Sequence, residues 1–331
     1  MRKMLPVRYA DTLRASWPQA DALTNMQKKM YFIYNPHAGM ERIRSNLLDI
    51  IDIFVKAGFE VTVYPTQDRG DASRAVREMK DGYDLLVCSG GDGTLDEVVS
   101  GMMQREKKIP VGYVPAGSTN DFARTLKIPR DMRKAAEVVT RGVEFKCDTG
   151  SFNDKYFVYI AAFGVFTDIS YGTEQDLKNT FGHLAYIMEA MSRIGDPLES
   201  FHMKVVHDGI TEENDYVYGM ISNSVSVAGF KSPGRQNVIL DDGLFEVALI
   251  KKPEDPVELG EVAGAVMNGS SNDLVSYFKT DEISFESSGE VAWTLDGEFG
   301  GSLKEVNIRN CRRAFGIMVP ADAGLPDKML F

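Results

Sequence analysis

Hydrophobic and polar positions follow two different patterns along this chain, and the change falls near residue 144. Before it, short apolar runs alternate with segments in which apolar residues recur every three or four positions. The first pattern is typical of buried parallel strands and the second of amphipathic helices. The alternation predicts a parallel sheet with right-handed crossovers. Strands are predicted at 30–34, 59–64, 84–88 and 109–114, and helices at 43–55, from 70, from 95, from 121 and at 131–141.

Beyond residue 144, strand-like runs dominate and are joined by turns rich in Gly, Asn and Asp. This pattern predicts a mostly antiparallel β-sandwich, interrupted by helices near 181–194 and 255–267. The predicted division is an N-terminal appendage (1–27), an α/β domain (28–143) and a β-sandwich domain (144–310), with 311–325 as a candidate to return to the first domain. The predicted strands of the second domain lie at 144–148, 156–163, 201–206, 216–222, 244–250, 282–285, 291–295 and 306–309.

A glycine-rich turn at residues 89–97, with the sequence SGGDGTLDE, joins the third predicted strand to a helix. In open α/β sheets, ligands bind at the carboxyl ends of strands. Glycine lets the backbone approach a ligand, and the amides of a helix N-terminus suit a phosphate. Asp92 would repel a bare phosphate, so it suits Mg²⁺, a water on Mg²⁺ or a substrate hydroxyl. The same residues also fit a simple tight turn in which Thr94 and Glu97 form a capping box.

A second loop of this kind, PAGSTNDFAR at residues 115–124, follows the fourth predicted strand. Ser118 could donate to a phosphate or to a helix amide. Asn120 and Asp121 could cap the helix and also face the site. Two such loops on one sheet edge favour a shared nucleotide site.

Four motifs resemble, in order, those of the diacylglycerol kinase catalytic domain family, and more closely its bacterial soluble lipid kinases. They are GGDGTLDEVVSG at 90–101, PAGSTNDFAR at 115–124, DDGLF at 241–245 and DGE at 296–298, and the resemblance covers about residues 28–320. It implies a fold of the NAD kinase/diacylglycerol kinase type followed by a lipid domain. It also implies transfer of the γ-phosphoryl group of ATP to a lipid hydroxyl, with diacylglycerol as the leading acceptor and phosphatidic acid as the product.

The resemblance also implies roles for individual residues. Glu298 is expected to be the proton acceptor and Asp296 its partner, with the reverse assignment left open, while Asp92 helps to organise the Mg²⁺ network. Both Asp-Gly segments could equally be plain hairpin turns. One Mg²⁺ is expected on the Asp242 carboxylate with the carbonyls of Ile239 and Leu244. Nucleotide contacts are expected from Asn35, Pro36, His37, Ala38, Gly39, Thr66, Gly91, Asp92, Gly93, Thr94, Leu95, Asp96, Glu97 and Ser118.

Two positions depart from the family pattern. Asp96 stands where the motif usually has Asn, so it adds negative charge near the expected phosphates. That charge could be relieved by metal or by a basic neighbour, or it could signal altered nucleotide use. Ala38 lacks a hydroxyl that many relatives carry, so any contact there must come from the backbone or from Asn35.

Charge and composition narrow the classes of partner. The net charge of −11 argues against nucleic acid and against strong docking on anionic membranes. No apolar run reaches the length of a membrane-spanning helix, and three scattered cysteines form no disulfide framework. The sequence therefore predicts a cytoplasmic protein that contacts a membrane surface transiently during turnover, with a homodimer left open.

Two alternative functions stay open besides the lipid kinase. They are an NAD-kinase-like enzyme and a nucleotide-regulated lipid-binding protein without turnover.

Overall fold

The computed structural model describes residues 27–39, 42–118, 120–164, 199–224, 226–227, 230–231 and 238–324. The predicted helix near 181–194, and residues 1–26 of the predicted appendage, lie outside the described residues.

Four strands form the first part of the fold, at the predicted positions to within two residues. They are β1 (Lys28–Tyr34), β2 (Phe59–Pro65), β3 (Leu85–Gly90) and β4 (Val111–Pro115). β1 pairs in parallel with β2 on one side and with β3 on the other, and β3 pairs in parallel with β4. The carboxyl ends of all four strands therefore lie at one edge of the sheet. All residues of β3 and β4 are buried, which explains why both strands are apolar without alternation.

Five helices accompany these strands: α1 (Arg42–Lys56), α2 (Asp71–Glu78), α3 (Asp92–Met103), α4 (Asp121–Thr125) and α5 (Met132–Arg141). Helix α1 buries Ile43, Ile50 and Phe54, as its apolar spacing predicts. Helices α1 and α5 pack on each other, and α2 packs on α3. Because α3 and α4 begin directly after β3 and β4, their N-termini lie at the same edge of the sheet.

The remaining strands of the described chain, apart from the end of β15, pair antiparallel, which confirms the antiparallel pairing predicted for the C-terminal part. The β-sandwich arrangement itself stays a prediction. The periodicity missed β13 and underestimated the lengths of β9, β14 and β15. The strands are β5 (Val143–Phe152), β6 (Lys155–Phe157), β7 (Ile160–Gly164), β8 (Phe201–His207), β9 (Ile210–Ser222), β10 (Ser226–Val227), β11 (Phe230–Lys231), β12 (Phe245–Lys251), β13 (Val275–Thr280), β14 (Glu282–Leu295) and β15 (Glu298–Val319), with α6 (Pro256–Asn268) between β12 and β13.

The long strand β15 joins the two parts. It pairs antiparallel with β14 and β5, and near its end Ile317 pairs in parallel with Val111 of β4. The described strands other than β10 and β11 thus belong to one sheet of 13 strands, with the central order β13-β12-β9-β7-β14-β15-β4-β3-β1-β2. This continuity brings the first residues of β15 towards the loops after β3 and β4.

Two main apolar clusters stabilise this arrangement. One lies between the parallel strands and their helices, and it includes Phe315 and Ile317 from β15. The other is aromatic and centres on Trp293, whose ring centroid lies 4.8 Å from that of Phe163 and 5.1 Å from that of Phe285. None of the described helices is long and apolar enough to cross a membrane.

Candidate active site

An open cavity of about 510 Å³ lies at the carboxyl ends of the four parallel strands. The loops after β1, β2, β3 and β4 form most of its wall, and the first residue of β15 completes it. The residues that line it are Asn35, His37, Ala38, Gly39, Thr66, Gln67, Asp68, Arg69, Gly91, Gly93, Thr94, Asp96, Glu97, Gly117 and Glu298.

Three of these loops contact one another through their backbones. Gly39 has a positive φ of 53°, and a Cβ atom on it would lie 1.8 Å from the carbonyl oxygen of Ala116. A Cβ atom on Gly117 would lie 2.6 Å from the Cα of Gly91. Because no side chain fits at either position, this part of the wall consists of backbone groups, which suits close approach to a phosphate.

Helix α3 begins after Gly91 and has no side-chain cap. The predicted capping box between Thr94 and Glu97 is therefore wrong. The Glu97 carboxylate instead accepts hydrogen bonds from the N–H groups of Gly70 at 2.7 Å and Ala72 at 3.1 Å, at the start of α2. The sequence places Glu97 in a cap of its own helix, α3, whereas in the structure it binds the start of the neighbouring helix, α2.

Asp92 has a comparable long-range partner. Its carboxylate accepts hydrogen bonds from the N–H of Asp121 at 3.0 Å and the N–H of Phe122 at 3.4 Å, which are the first two residues of α4. Burial raises the pKa of Asp92 to about 6, against the opposing effect of these two amides. Asp92 therefore joins the starts of α3 and α4, and it is not among the residues that line the cavity.

The expectation that Asn120 caps α4 with its side chain is wrong. Asn120 occupies the N-cap position with a left-handed backbone but makes no side-chain cap. Its side chain turns back to the loop, accepting a hydrogen bond from the Gly117 N–H at 3.0 Å and donating one to the Gly117 carbonyl at 2.6 Å. Asn120 thus fixes the loop after β4, while Asp92 supplies the missing cap.

Asp296 lies in the tight turn between β14 and β15, with a φ of 50°. Only 4% of Asp296 is exposed, and its carboxylate accepts three backbone hydrogen bonds. The donors are the N–H groups of Val158 at 2.5 Å, Tyr159 at 2.9 Å and Ile160 at 2.9 Å. With its oxygens occupied in this way, Asp296 anchors the turn and does not reach the cavity.

Glu298 follows two residues later and faces the cavity. Its side chain is 52% exposed, and Oε2 lies 2.8 Å from the Arg69 guanidinium. A Cβ atom on Gly93 would lie 3.6 Å from Glu298 Oε1, so this carboxylate stands beside the start of α3. Of the two acidic residues in the Asp-Gly-Glu motif, Glu298 is the one that can contact a ligand in the cavity.

Asp96 belongs to the second turn of helix α3 and lines the cavity. Its Oδ1 is buried and has no hydrogen-bond partner among the described residues. Burial raises the pKa of Asp96 well above its ordinary 3.8, and the charge on Asp296 raises it further. The surroundings of Asp96 thus disfavour the negative charge that the sequence places there.

Ten of the fourteen residues with predicted nucleotide contacts line the cavity, and four do not: Pro36, Asp92, Leu95 and Ser118. Leu95 is 1% exposed and belongs to the apolar core, because it faces the sheet from α3. Ser118 is exposed, and its carbonyl accepts a hydrogen bond from Arg130. The sequence prediction missed Gln67, Asp68, Arg69 and Gly117. Their positions in the sequence could have indicated them, because they follow the ends of β2 and β4.

The residues predicted to hold Mg²⁺ form a separate cluster before β12. Asp242 Oδ1 accepts a hydrogen bond from the Leu244 N–H at 3.0 Å, and Oδ2 lies 3.5 Å from the Lys279 ammonium. That ammonium also lies 2.9 Å from Oε1 of Glu246, whose buried carboxylate oxygens have no aligned hydrogen-bond donor.

Two carboxylates therefore face one ammonium, and burial raises the pKa of Glu246 to about 7. The donor set fits a hard cation such as Mg²⁺, although the ion would compete with Lys279 for Asp242. Within the described part of the chain, no group of three or more His, Cys, Asp or Glu side chains is arranged around a metal position.

Comparison with known proteins agrees with this geometry. The model of the diacylglycerol kinase catalytic domain matches residues 29–152, which carry the loops after β1 to β4. Together with the acidic turn on the cavity wall, this match defines the chain as a lipid kinase, a phosphotransferase.

The relatives then identify the family. A diacylglycerol kinase of Staphylococcus carnosus strain TM300 is 32% identical over 302 residues, covering 90% of this chain and 97% of the relative. One of Staphylococcus aureus strain RF122 is 33% identical over 302 residues, covering 90% of this chain and 94% of the relative. The solved structure of a diacylglycerol kinase from Bacillus anthracis strain Sterne covers 88% of this chain and 97% of its own, with 23% identity and a TM-score of 0.67. The chain belongs to the diacylglycerol kinase family.

Proposed function

We propose that this protein transfers the γ-phosphoryl group of ATP to the free hydroxyl of diacylglycerol, giving phosphatidic acid. One observation carries the proposal: the accessible Glu298 carboxylate lies in the same cavity as the loops after β1 to β4. Such a cavity can hold a nucleotide and a proton acceptor side by side. The relatives named diacylglycerol kinases support the choice of acceptor.

The nucleotide would lie against the backbone of the loops at 35–39, 91–97 and 117–118, with Thr66 beside it. The cavity volume of about 510 Å³ falls within the range of small-molecule sites. Among the described residues that line it, Arg69 is the only Lys or Arg. We place Arg69 beside the phosphates. Its guanidinium could there leave its ion pair with Glu298 and bind a phosphate oxygen instead.

In the proposed reaction, Glu298 accepts the proton of the lipid hydroxyl while that oxygen bonds to the γ-phosphorus. The bond from phosphorus to the bridging oxygen breaks, and ADP leaves with its electron pair. Asp296 positions the turn that carries Glu298. Asp92 acts by joining α3 to α4, which fixes the position of the two nucleotide loops relative to each other.

Mg²⁺ bound with the nucleotide would neutralise phosphate charge during this transfer. A second Mg²⁺ would be held outside the cavity by the Asp242 carboxylate and the carbonyls of Ile239 and Leu244, in competition with Lys279. We assign this second ion a structural role, because the cluster does not line the cavity.

The same proposal assigns the two parts of the chain. Residues 28–143 would bind the nucleotide, 144–310 would receive the lipid, and 311–325 would return to the first part through the end of β15. The acceptor is a lipid, so the protein would contact a lipid surface during turnover, and its net charge of −11 favours shallow apolar contact with neutral lipid.

The test is transfer of labelled γ-phosphate from ATP with Mg²⁺ to dioleoylglycerol in mixed micelles. Monoacylglycerol, a sphingoid base and NAD are assayed as competing acceptors, and Glu298→Ala is the control variant. Labelled phosphatidic acid that disappears in the variant is the expected result. Another labelled lipid would change the acceptor, turnover with NAD alone would favour an NAD-kinase-like enzyme, and ATP binding without any product would favour a lipid-binding protein.

A further inference from the structure

Phe299 is an exposed aromatic side chain directly beside the proposed proton acceptor. It is the second residue of β15, after Glu298, and 64% of it is exposed. The other large apolar side chains that are exposed in the described part of the chain belong to α1, β2, β5, β9 and α6. None of them adjoins in sequence a residue that lines the cavity, whereas Phe299 does. Among these side chains, Phe299 is therefore the one placed to contact a molecule that extends out of the cavity.

The contacts on either side of Phe299 hold its backbone in place. Phe299 pairs with Thr294 of β14. The next residue, Gly300, is buried, and a Cβ atom on it would lie 2.9 Å from Cγ of Leu295. The Gly300 carbonyl also accepts a hydrogen bond from the Lys155 ammonium at 2.6 Å. The strand therefore cannot rotate to bury the ring without breaking these contacts.

The start of β15 is an edge of the sheet within the described residues. Residues 298–303 pair with β14 on one side, and the pairing of β15 with β5 begins only at Ile308. Neighbouring residues of a strand point to opposite faces, so Glu298 and Phe299 lie on the two faces of this edge. A flexible molecule that lies across the edge can therefore contact both side chains.

The chemistry of the transfer decides which substrate lies across this edge. The attacking and the leaving oxygen stand on opposite sides of the phosphorus atom. With the nucleotide against the loops after β1 to β4, the acceptor reaches Glu298 from the far side, where β15 forms the edge. The cavity wall is acidic, because Asp68, Asp96, Glu97 and Glu298 line it together with Arg69. An uncharged acceptor with an apolar part is therefore favoured there over an anionic one.

We propose that Phe299 contacts the first carbons of an acyl chain of the acceptor and so holds the acceptor hydroxyl beside Glu298. The inference rests on the function proposed above, because it takes a lipid as the acceptor. A phenyl ring gains free energy by covering apolar surface and offers no hydrogen bond to a hydroxyl or a charged headgroup. Phe299 therefore favours an acylated glycerol over glycerol itself.

The first experiment compares wild type, Phe299→Ala, Phe299→Leu and Met267→Ala. Met267 is a matched control, since it is 73% exposed and lies on α6, which has no residue in the cavity wall. The acceptors are dihexanoylglycerol in free solution and dioleoylglycerol in mixed micelles. We expect Phe299→Ala to raise KM about 3- to 10-fold for both acceptors, because part of one apolar contact is lost. KM for ATP and kcat should stay within about twofold of wild type, and Phe299→Leu and Met267→Ala should resemble wild type.

Three outcomes would overturn the proposal. Equal KM values of wild type and Phe299→Ala for dihexanoylglycerol would exclude the contact. A rise confined to the micelles would mean that the ring enters the lipid surface and does not touch the acceptor. A raised KM for ATP would assign Phe299 to the nucleotide. Equal melting temperatures of the four proteins would show that the substitutions leave the fold intact.

The second experiment measures the binding of dihexanoylglycerol by calorimetry, with Mg²⁺ and a non-hydrolysable ATP analogue present. We expect Phe299→Ala to weaken binding by the same factor that it raises KM. Binding that weakens in this variant, without transfer by the wild type, would refute the proposed function and leave the contact standing. Transfer by the wild type with binding equal in the two proteins would refute the contact and leave the function standing. Absence of binding by the wild type would overturn the contact as well.

Discussion

Replacing Asp92 by Ala should destabilise the protein even when no nucleotide or metal is present. The variant removes the acceptor for the N–H groups of Asp121 at 3.0 Å and Phe122 at 3.4 Å. Helix α4 has only five residues and no side-chain cap from its own N-cap residue. Its first turn therefore depends on a carboxylate supplied by α3.

The size of the effect follows from these two hydrogen bonds. Loss of a side-chain cap costs about 0.5–2 kcal/mol, and a buried N–H left without an acceptor costs about 1–3 kcal/mol. We therefore expect Asp92→Ala to lower the free energy of unfolding by about 2–4 kcal/mol. Asp92→Asn keeps one oxygen acceptor and should cost about 1 kcal/mol.

Asp131 provides a matched control. It caps α5 in the same manner, accepting from the N–H groups of Arg133 at 3.1 Å and Lys134 at 3.0 Å, but it is exposed. Asp131→Ala should therefore cost about 1 kcal/mol, the ordinary value of a surface cap.

The assay is urea unfolding at pH 7 in the absence of ligands, followed by circular dichroism. The free energies of unfolding of wild type, Asp92→Ala, Asp92→Asn and Asp131→Ala are compared. If Asp92→Ala lies within about 0.5 kcal/mol of wild type, or costs less than Asp131→Ala, Asp92 does not hold the two helices together. In that case its role would have to be sought at the ligand alone.

Three further predictions concern other contacts. Glu298→Gln should lower kcat about 10²- to 10⁴-fold with little loss of stability, since its exposed ion pair contributes at most about 1 kcal/mol. Arg69→Met breaks the same ion pair but should weaken ATP binding instead. Equal losses of kcat in the two variants would contradict these roles. Lys279→Met should leave Glu246 without its cation and lower the melting temperature. Millimolar Mg²⁺ should then raise the melting temperature of the variant by more than it raises that of the wild type. An equal response to Mg²⁺ in the two proteins would argue against a cation site there. Gly117→Ala should weaken ATP binding without abolishing the fold, because its Cβ would force apart the loops after β3 and β4; calorimetric binding equal to wild type would contradict the close loop contact.

The sequence alone was sufficient for the elements of the first part of the fold and for most of the cavity wall. Its alternation of apolar runs and helical spacing predicted β1 to β4 and their helices, because burial on a sheet or on one helix face leaves a local periodic signal. The two glycine-rich loops, at 89–97 and 115–124, placed the site at the ends of β3 and β4 for the same local reason. The Asp-Gly-Glu motif predicted that Glu298 is a site residue.

Tertiary structure alone decided what the acidic residues contact. Glu97 holds α2 and Asp92 holds α4; neither contact follows from the spacing within one element. Each joins residues that are 25 or more positions apart, and periodicity carries no information about such distances. Sequence patterns report which side of a helix or strand is buried, whereas the charge and hydrogen bonding of a carboxylate depend on the neighbours that folding brings to it.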